Sequence, residues 1–221
     1  WGAWFAARRR GFASGIAVAG SSIGLIFVGP LVPFILARQG AEGWRLCWFI
    51  LGALTLLLAL ASALVLRNRP AEVGLQPLGA TPSDPPPAPL GEPLRWGRIY
   101  RSASVWRLGL VYVAFGFSYM IYMTFFSKRL ITEGGYTPRT AGNLFMLMGW
   151  FSLACGLLWG TVSDRIGRKR ALIIVYLIHT ISFSLFALWP APAGFTLSAI
   201  LFGLSAWSIP AIMAATCGDV L

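Results

Sequence analysis

Six apolar runs, at roughly 12–36, 46–66, 105–127, 140–162, 171–189 and 194–217, constrain this chain more than any other feature. Each is close to the ~20 residues that an α-helix needs to cross ~30 Å of hydrocarbon. Lipid offers no hydrogen-bond partner to an open strand edge, so the runs are expected to be helices. A closed barrel would need polar residues at alternate positions, and these runs do not alternate. With 57% hydrophobic and 11% charged residues, and a mean hydropathy of +0.72, the chain cannot hide its apolar surface inside one water-soluble core. The expected class is an all-α, multi-pass membrane protein whose constant partner is the lipid bilayer.

A net charge of +11 would suggest nucleic acid in a water-soluble protein. Here the cations sit in short loops between apolar runs, and no nucleic-acid partner is implied. Residues 1–11, 67–107 and 163–170 hold thirteen of the eighteen Lys and Arg; the opposite loops hold Arg38, Arg45, Lys128, Arg129 and Arg139. The thirteen belong in the cytoplasm. The first run therefore points outward, and the chain ends near Asp219 on the cytoplasmic side. Between Pro70 and Pro93 lie eight of the fourteen prolines, with PPPAP at the centre, which predicts an extended or disordered linker. Three segments follow: 1–66 with two spans, 67–102 as cytoplasmic linker, and 103–221 with four spans. The chain starts at Trp1 without an initiator Met or signal-peptide pattern and reads as an interior piece of a longer protein. Cys47, Cys155 and Cys217 lie in or beside apolar runs without ligand spacing, so buried thiols are expected, with no metal site and no cofactor.

The tight turn from Gly160 to Arg170 reads GTVSDRIGRKR between two spans. Asp164, Arg165, Arg168, Lys169 and Arg170 cannot sit in hydrocarbon, and Gly160 and Gly167 let the backbone bend or approach a neighbour closely. The segment resembles the G-x-x-x-D-R-x-G-R-(K/R) loop of the major facilitator superfamily of secondary transporters. That resemblance implies a twelve-helix fold in two six-helix halves, with this chain holding helices five to ten. It also implies a cytoplasmic gate. The Asp164 carboxylate would dock on the unpaired first amides of helix five, near Gly11 to Ser14, with Arg168 reaching the same carboxylate and Gly160 permitting the approach.

The opening residues WFAARRRGFASGIAVAG resemble the monocarboxylate-porter pattern (Y/F)-F-x-x-(R/K)-(R/K)-x-x-A-x-G-x-A-x-A-G at the start of helix five. Phe5, Arg8, Arg9, Gly15, Ala17, Ala19 and Gly20 carry it, with Ala13 at the small site. The arginines would anchor the cytoplasmic end, and the small residues would make a face for close helix packing. Gly43-Trp44-Arg45 is likewise common across the superfamily. One departure stands out. Proton-linked members of that branch are expected to hold an acid and an arginine in helix eight, whereas Thr140 to Val162 carries no charge. Phrases such as GFSYMIYMTFF and SAWSIPAIMAA look closer to an uncharacterised bacterial branch.

Helices seven and ten are expected to line the central cavity. On helix seven, Tyr112, Phe115, Tyr119, Tyr122 and Phe126 follow spacings of 3, 4, 3 and 4 and share one face. Two readings stand: a cavity wall using Tyr119 and Tyr122, or helix-packing aromatics with Tyr112 in an interfacial belt. On helix ten, Trp207, Ser208 and Pro210 mark either a hinge and binding wall or a plain kink, because proline frees a carbonyl one turn earlier. On helix eight, Asn143, Met146 and Trp150 share a face, where Asn143 contacts solute or a neighbouring helix. His179, the single histidine, is either a proton relay or a neutral structural side chain.

The expected function is secondary active transport of a small organic solute, a carboxylate among the options, driven by protons or another ion in a bacterial inner membrane. No phosphate-binding G-x-x-x-x-G-K-(S/T) loop is present. The alternatives are a transporter-derived receptor and a membrane-embedded enzyme. Against the enzyme, all seven acids lie in loops or at a helix end, at 42, 72, 84, 92, 133, 164 and 219.

Overall fold

The computed structural model describes residues 4, 5, 10–80, 97 and 100–220, apart from some side chains within the helices. Among the described residues seven α-helices follow in order: α1 (Arg10–Gln39), α2 (Gly43–Val65), α3 (Ala103–Thr132), α4 (Pro138–Ile166), α5 (Arg168–Leu188), α6 (Pro192–Ser205) and α7 (Ser208–Val220). Among the described residues six segments are long and apolar enough to cross a membrane, and the last of them, Pro192–Ala214, takes in α6 and the first half of α7. The sixth expected span is thus a discontinuous helix, interrupted at Ala206–Trp207 one turn before Pro210.

Local chemistry places the ends. Thr137 accepts the Thr140 amide at 3.2 Å and Pro138 occupies the first turn, where a missing N–H costs nothing, so α4 starts there. Gly167, at φ 90°, separates α4 from α5 in a backbone region that other residues rarely adopt, which explains the glycine in the basic turn.

Helices α3 to α7 form one bundle whose centre is filled by Phe126, Leu130, Met148, Val175, Phe195, Phe202 and Ile209, all fully buried. Helix α1 lies along α4 in the most extensive helix contact of the described residues. The two run antiparallel: Gly29 and Pro33 meet Gly142, and Leu25 and Ile26 meet Gly149. A side chain on Gly29 would come within 2.6 Å of the Gly142 carbonyl, and the Gly29 carbonyl faces Gly142 in return. Pro33 explains the arrangement. It removes the amide that would pair with the Gly29 carbonyl, and the freed oxygen takes the space that a Cβ on Gly142 would need.

Helix α2 contacts chiefly α1 and buries only Gly43 and Cys47 among its described side chains. Several expectations meet a different outcome. Cys217 is exposed rather than buried; Cys47 and Cys155 are buried and free. The first part of the linker is folded rather than extended. Pro70–Val73 forms a 3-10 turn closed by Gly74 at φ 68°, and Leu78 donates its amide to the Trp4 carbonyl at 2.8 Å. The Trp4 indole in turn donates to the Arg67 carbonyl at 2.9 Å, and Phe5 pairs with Leu78 in a single bridge. Residues 81–96 lie outside the described residues.

Candidate functional site

The interruption between α6 and α7 falls halfway along its span, beside the middle of α3. Two groups satisfy it. Trp159 of α4 donates its indole N–H to the Leu204 carbonyl at 2.7 Å, and Ser208 donates to the Ser205 carbonyl at 2.6 Å, while the Ser205 hydroxyl back-bonds to the Leu201 carbonyl at 2.7 Å. Polar backbone freed at this depth is tolerable because neighbouring side chains take it up. Trp207, at the interruption, meets Tyr119 edge-to-face with ring centroids 6.0 Å apart, and Phe202 edge-to-face at 5.9 Å. Such pairs put the positive ring edge on the negative face and fix both partners.

The five aromatics of α3 share a face but not an environment. Phe115, Tyr122 and Phe126 are buried, Tyr119 is half-buried, and Tyr112 is exposed. Tyr122 stacks on Phe202 at 4.2 Å, and its hydroxyl lies 2.7 Å from Ser198 Oγ. Ser182 and Ser198 donate to each other's carbonyls, both at 2.8 Å, which uses both serine protons. Tyr122 must therefore donate to Ser198. The structure thus places Tyr122 inside the bundle, where it ties α3, α5 and α6 together, and not on an open wall. Tyr122→Phe is expected to lower unfolding stability by about 1 kcal/mol, the usual net worth of one buried hydrogen bond. Thermal unfolding in detergent checks this.

Tyr119 and Trp207 differ from Tyr122. Among the described residues neither the Tyr119 hydroxyl nor the Trp207 indole N–H has a hydrogen-bond partner, and the two rings touch. From this pair a ladder of rings descends α3 through Phe115 to Tyr112, at 5.5 and 5.8 Å. Tyr112 opens onto a groove of about 340 Å³ between α3 and α7, lined by Leu108, Gly109, Pro210, Met213 and Cys217. Asn143 and Trp150 lie elsewhere, with Tyr136, Thr140, Met146 and Thr196 along a second groove of about 320 Å³ near the start of α4. The expected constellation therefore divides into two: Tyr119 with Trp207 at mid-helix, and Asn143 with Trp150 in the first half of α4.

His179 is 2% exposed and lines neither groove. Its ring lies parallel to Phe202, 6° off at 5.1 Å, with Phe183 at 5.2 Å and Phe115 at 5.9 Å. Its Nε2 has no hydrogen-bond partner among the described residues.

In the basic turn Arg168 donates to Ser163 Oγ at 2.5 Å, and Ser163 donates to the Gly160 carbonyl at 3.1 Å. Sequence reasoning missed Ser163, although its spacing of five from Arg168 across a turn is a local signal. Arg165 is exposed, and among the described residues no atom lies within 4 Å of a Cβ added at Gly160. The Asp164 side chain, Arg8, Arg9 and the surroundings of Gly15 lie outside the described residues. Ala13 is 2% exposed, Ala19 is half-buried, and Gly20 faces open space. Among the described residues of α1, a tight contact with α4 falls at Gly29.

A family model described as the Major Facilitator Superfamily matches residues 1–221. The chain is 27% identical over 172 residues to the probable sulfoacetate transporter SauU of Cupriavidus necator, a match covering 75% of this chain and 39% of that protein. It is 24% identical over 186 residues to the oxalate:formate antiporter of Oxalobacter formigenes, covering 83% of this chain and 40% of that one. The chain thus spans about two fifths of the length of these curated relatives. No solved structure gives a significant match.

Proposed function

This chain belongs to the Major Facilitator Superfamily, and we propose that it supplies helices five to ten of a twelve-helix secondary transporter for a small organic anion. In this reading residues 1–66 end the first six-helix half, 67–102 link the halves, and 103–221 begin the second. Transport proceeds by alternating access across a bacterial inner membrane, with a proton, another ion or a counter-transported solute as the coupled species. The observation that carries the reading is the interrupted helix at mid-span, where Tyr119 and Trp207 hold two hydrogen-bond donors without a partner among the described residues. Discontinuous helices beside the bilayer midplane are where transporters of this architecture bind solute.

A carboxylate suits the pair. The phenol and the indole are both donors, and a donor to an anionic oxygen makes a stronger hydrogen bond than one to a neutral acceptor. The names of both relatives specify small organic acids, sulfoacetate in one and oxalate and formate in the other. Tyr122, behind the pair, holds Phe202 in place. Asn143 and Trp150 flank the outer approach. Family and fold favour transport over catalysis.

The test is uptake of radiolabelled small dicarboxylates and sulfonates into proteoliposomes holding the full-length protein. Tyr119→Phe and Trp207→Phe are each expected to weaken solute affinity about 10- to 100-fold, the worth of one charge-assisted hydrogen bond. Unchanged affinity in both variants would remove the site. Binding without uptake would favour the receptor.

A further inference from the structure

The inner ends of α3 and α5 carry, at one depth, cations that the proposed solute site does not use. Tyr176 of α5 donates its hydroxyl to the Val111 carbonyl of α3 at 2.9 Å. Val111 lies eight residues from the first residue of α3, and Tyr176 eight from the first residue of α5. Both helices run in the same direction at 1.5 Å per residue, so they begin at one depth, about 12 Å below that bond. Arg101 and Arg107 stand at the start of α3, and Lys169 and Arg170 at the start of α5; all four are exposed. None of the four forms an ion pair among the described residues, and Glu72 is the only described carboxylate side chain on the cytoplasmic face.

Two aromatics complete the arrangement. Trp106 is 64% exposed and donates its indole N–H to the Tyr100 carbonyl at 2.8 Å, closing a loop that holds Arg101 in place. Tyr100 is itself 60% exposed. An exposed indole and phenol at the cytoplasmic start of a membrane helix occupy the headgroup layer, where amphipathic rings are most stable. Guanidinium and ammonium groups at that depth face the phosphates of the inner leaflet.

We propose that the inner ends of α3 and α5 together form a binding site for an anionic phospholipid headgroup. Arg101, Arg107, Lys169 and Arg170 neutralise its phosphate and net charge, while Trp106 and Tyr100 seat its glycerol region. The site is independent of the solute reading, because none of its residues lines either groove.

The experiment is native mass spectrometry of the full-length protein released from vesicles of phosphatidylcholine and phosphatidylglycerol. The unaltered protein is expected to retain phosphatidylglycerol selectively. Each juxtamembrane cation is worth about fivefold in affinity for an anionic leaflet. Arg107→Gln with Lys169→Gln should then weaken retention at least about tenfold, and glutamine at all four positions more. Arg67→Gln with Arg69→Gln, which removes an exposed and a half-buried cation of the same face away from these helix ends, should change it less than about twofold. Absence of phosphatidylglycerol selectivity in the unaltered protein overturns the proposal. So does unaltered retention in the Arg107/Lys169 pair, or an equal loss in the Arg67/Arg69 pair.

Discussion

Gly142→Leu is expected to abolish transport by the complete protein and to leave its outer side open. In the closed contact Gly142 sits against the Gly29 carbonyl and 2.8 Å, measured from an added Cβ, from the Pro33 ring. Both obstacles are backbone or a rigid ring, and neither can swing away. Forcing an isobutyl group between them costs about 3 kcal/mol, the upper part of the usual range for overpacking. That lowers the population of the closed contact more than about 100-fold. In the proposed open arrangement these residues part, and no such penalty is expected. Cysteines introduced on the outer part of α4 should therefore react faster with a membrane-impermeant maleimide in Gly142→Leu than in the unaltered protein. Gly142→Ala, whose single methyl already meets the Gly29 carbonyl, should fall between the two. Equal labelling of all three would show that the contact does not govern outer access.

The second large effect is expected at Phe202. Its ring is fully buried and touches Tyr119, Tyr122, His179, Phe183 and Trp207. Truncation to alanine removes the one group common to α3, α5 and the interruption between α6 and α7. The loss in stability should be about 3–5 kcal/mol, as for other buried aromatic truncations. Solute affinity should fall as well, because Tyr119 and Trp207 both lean on this ring. Phe195→Ala supplies the comparison. Phe195 is equally buried but contacts Tyr136 and Phe186, away from that pair. It should cost comparable stability and leave affinity unchanged. Thermal unfolding and equilibrium binding on the same two variants separate a damaged fold from a damaged site.

Much of the fold is legible in the residues because hydrocarbon imposes length and apolar content together. The six spans, the sharp turn at Gly167 and the disturbance ahead of Pro210 each follow from a local rule. Pro210 predicted a broken helix, and the helix is interrupted one turn before it. Register between helices is not local. Nothing in α1 distinguishes Gly29 from Gly20 until α4 is laid against it, and the close contact described between these helices falls at Gly29. The sevenfold spacing of Gly142 and Gly149 was the available signal for the other side of that contact.

The candidate site was legible in part for the same reason. Tyr119 and Tyr122 are three residues apart and fall on one face, yet that face straddles the boundary between bundle interior and groove. Only Ser198, on another helix, decides that the Tyr122 hydroxyl is engaged while that of Tyr119 is not. Ser163 went unnoticed because its role depends on Arg168 folding back across the turn. The linker was misjudged at its start because composition describes a segment's average, whereas Trp4 and Leu78 act as individual contacts.

Alternating access is the central claim, and two pairs of spin labels in the full-length protein test it directly. Ile16 with Leu158 reports the inner ends of α1 and α4, and Phe34 with Arg139 reports the outer ends; all four positions are exposed. On addition of a transported anion the account predicts reciprocal changes, the outer distance lengthening in the molecules where the inner one shortens. Two distances that stay fixed, or that change in the same sense, while uptake proceeds would contradict it.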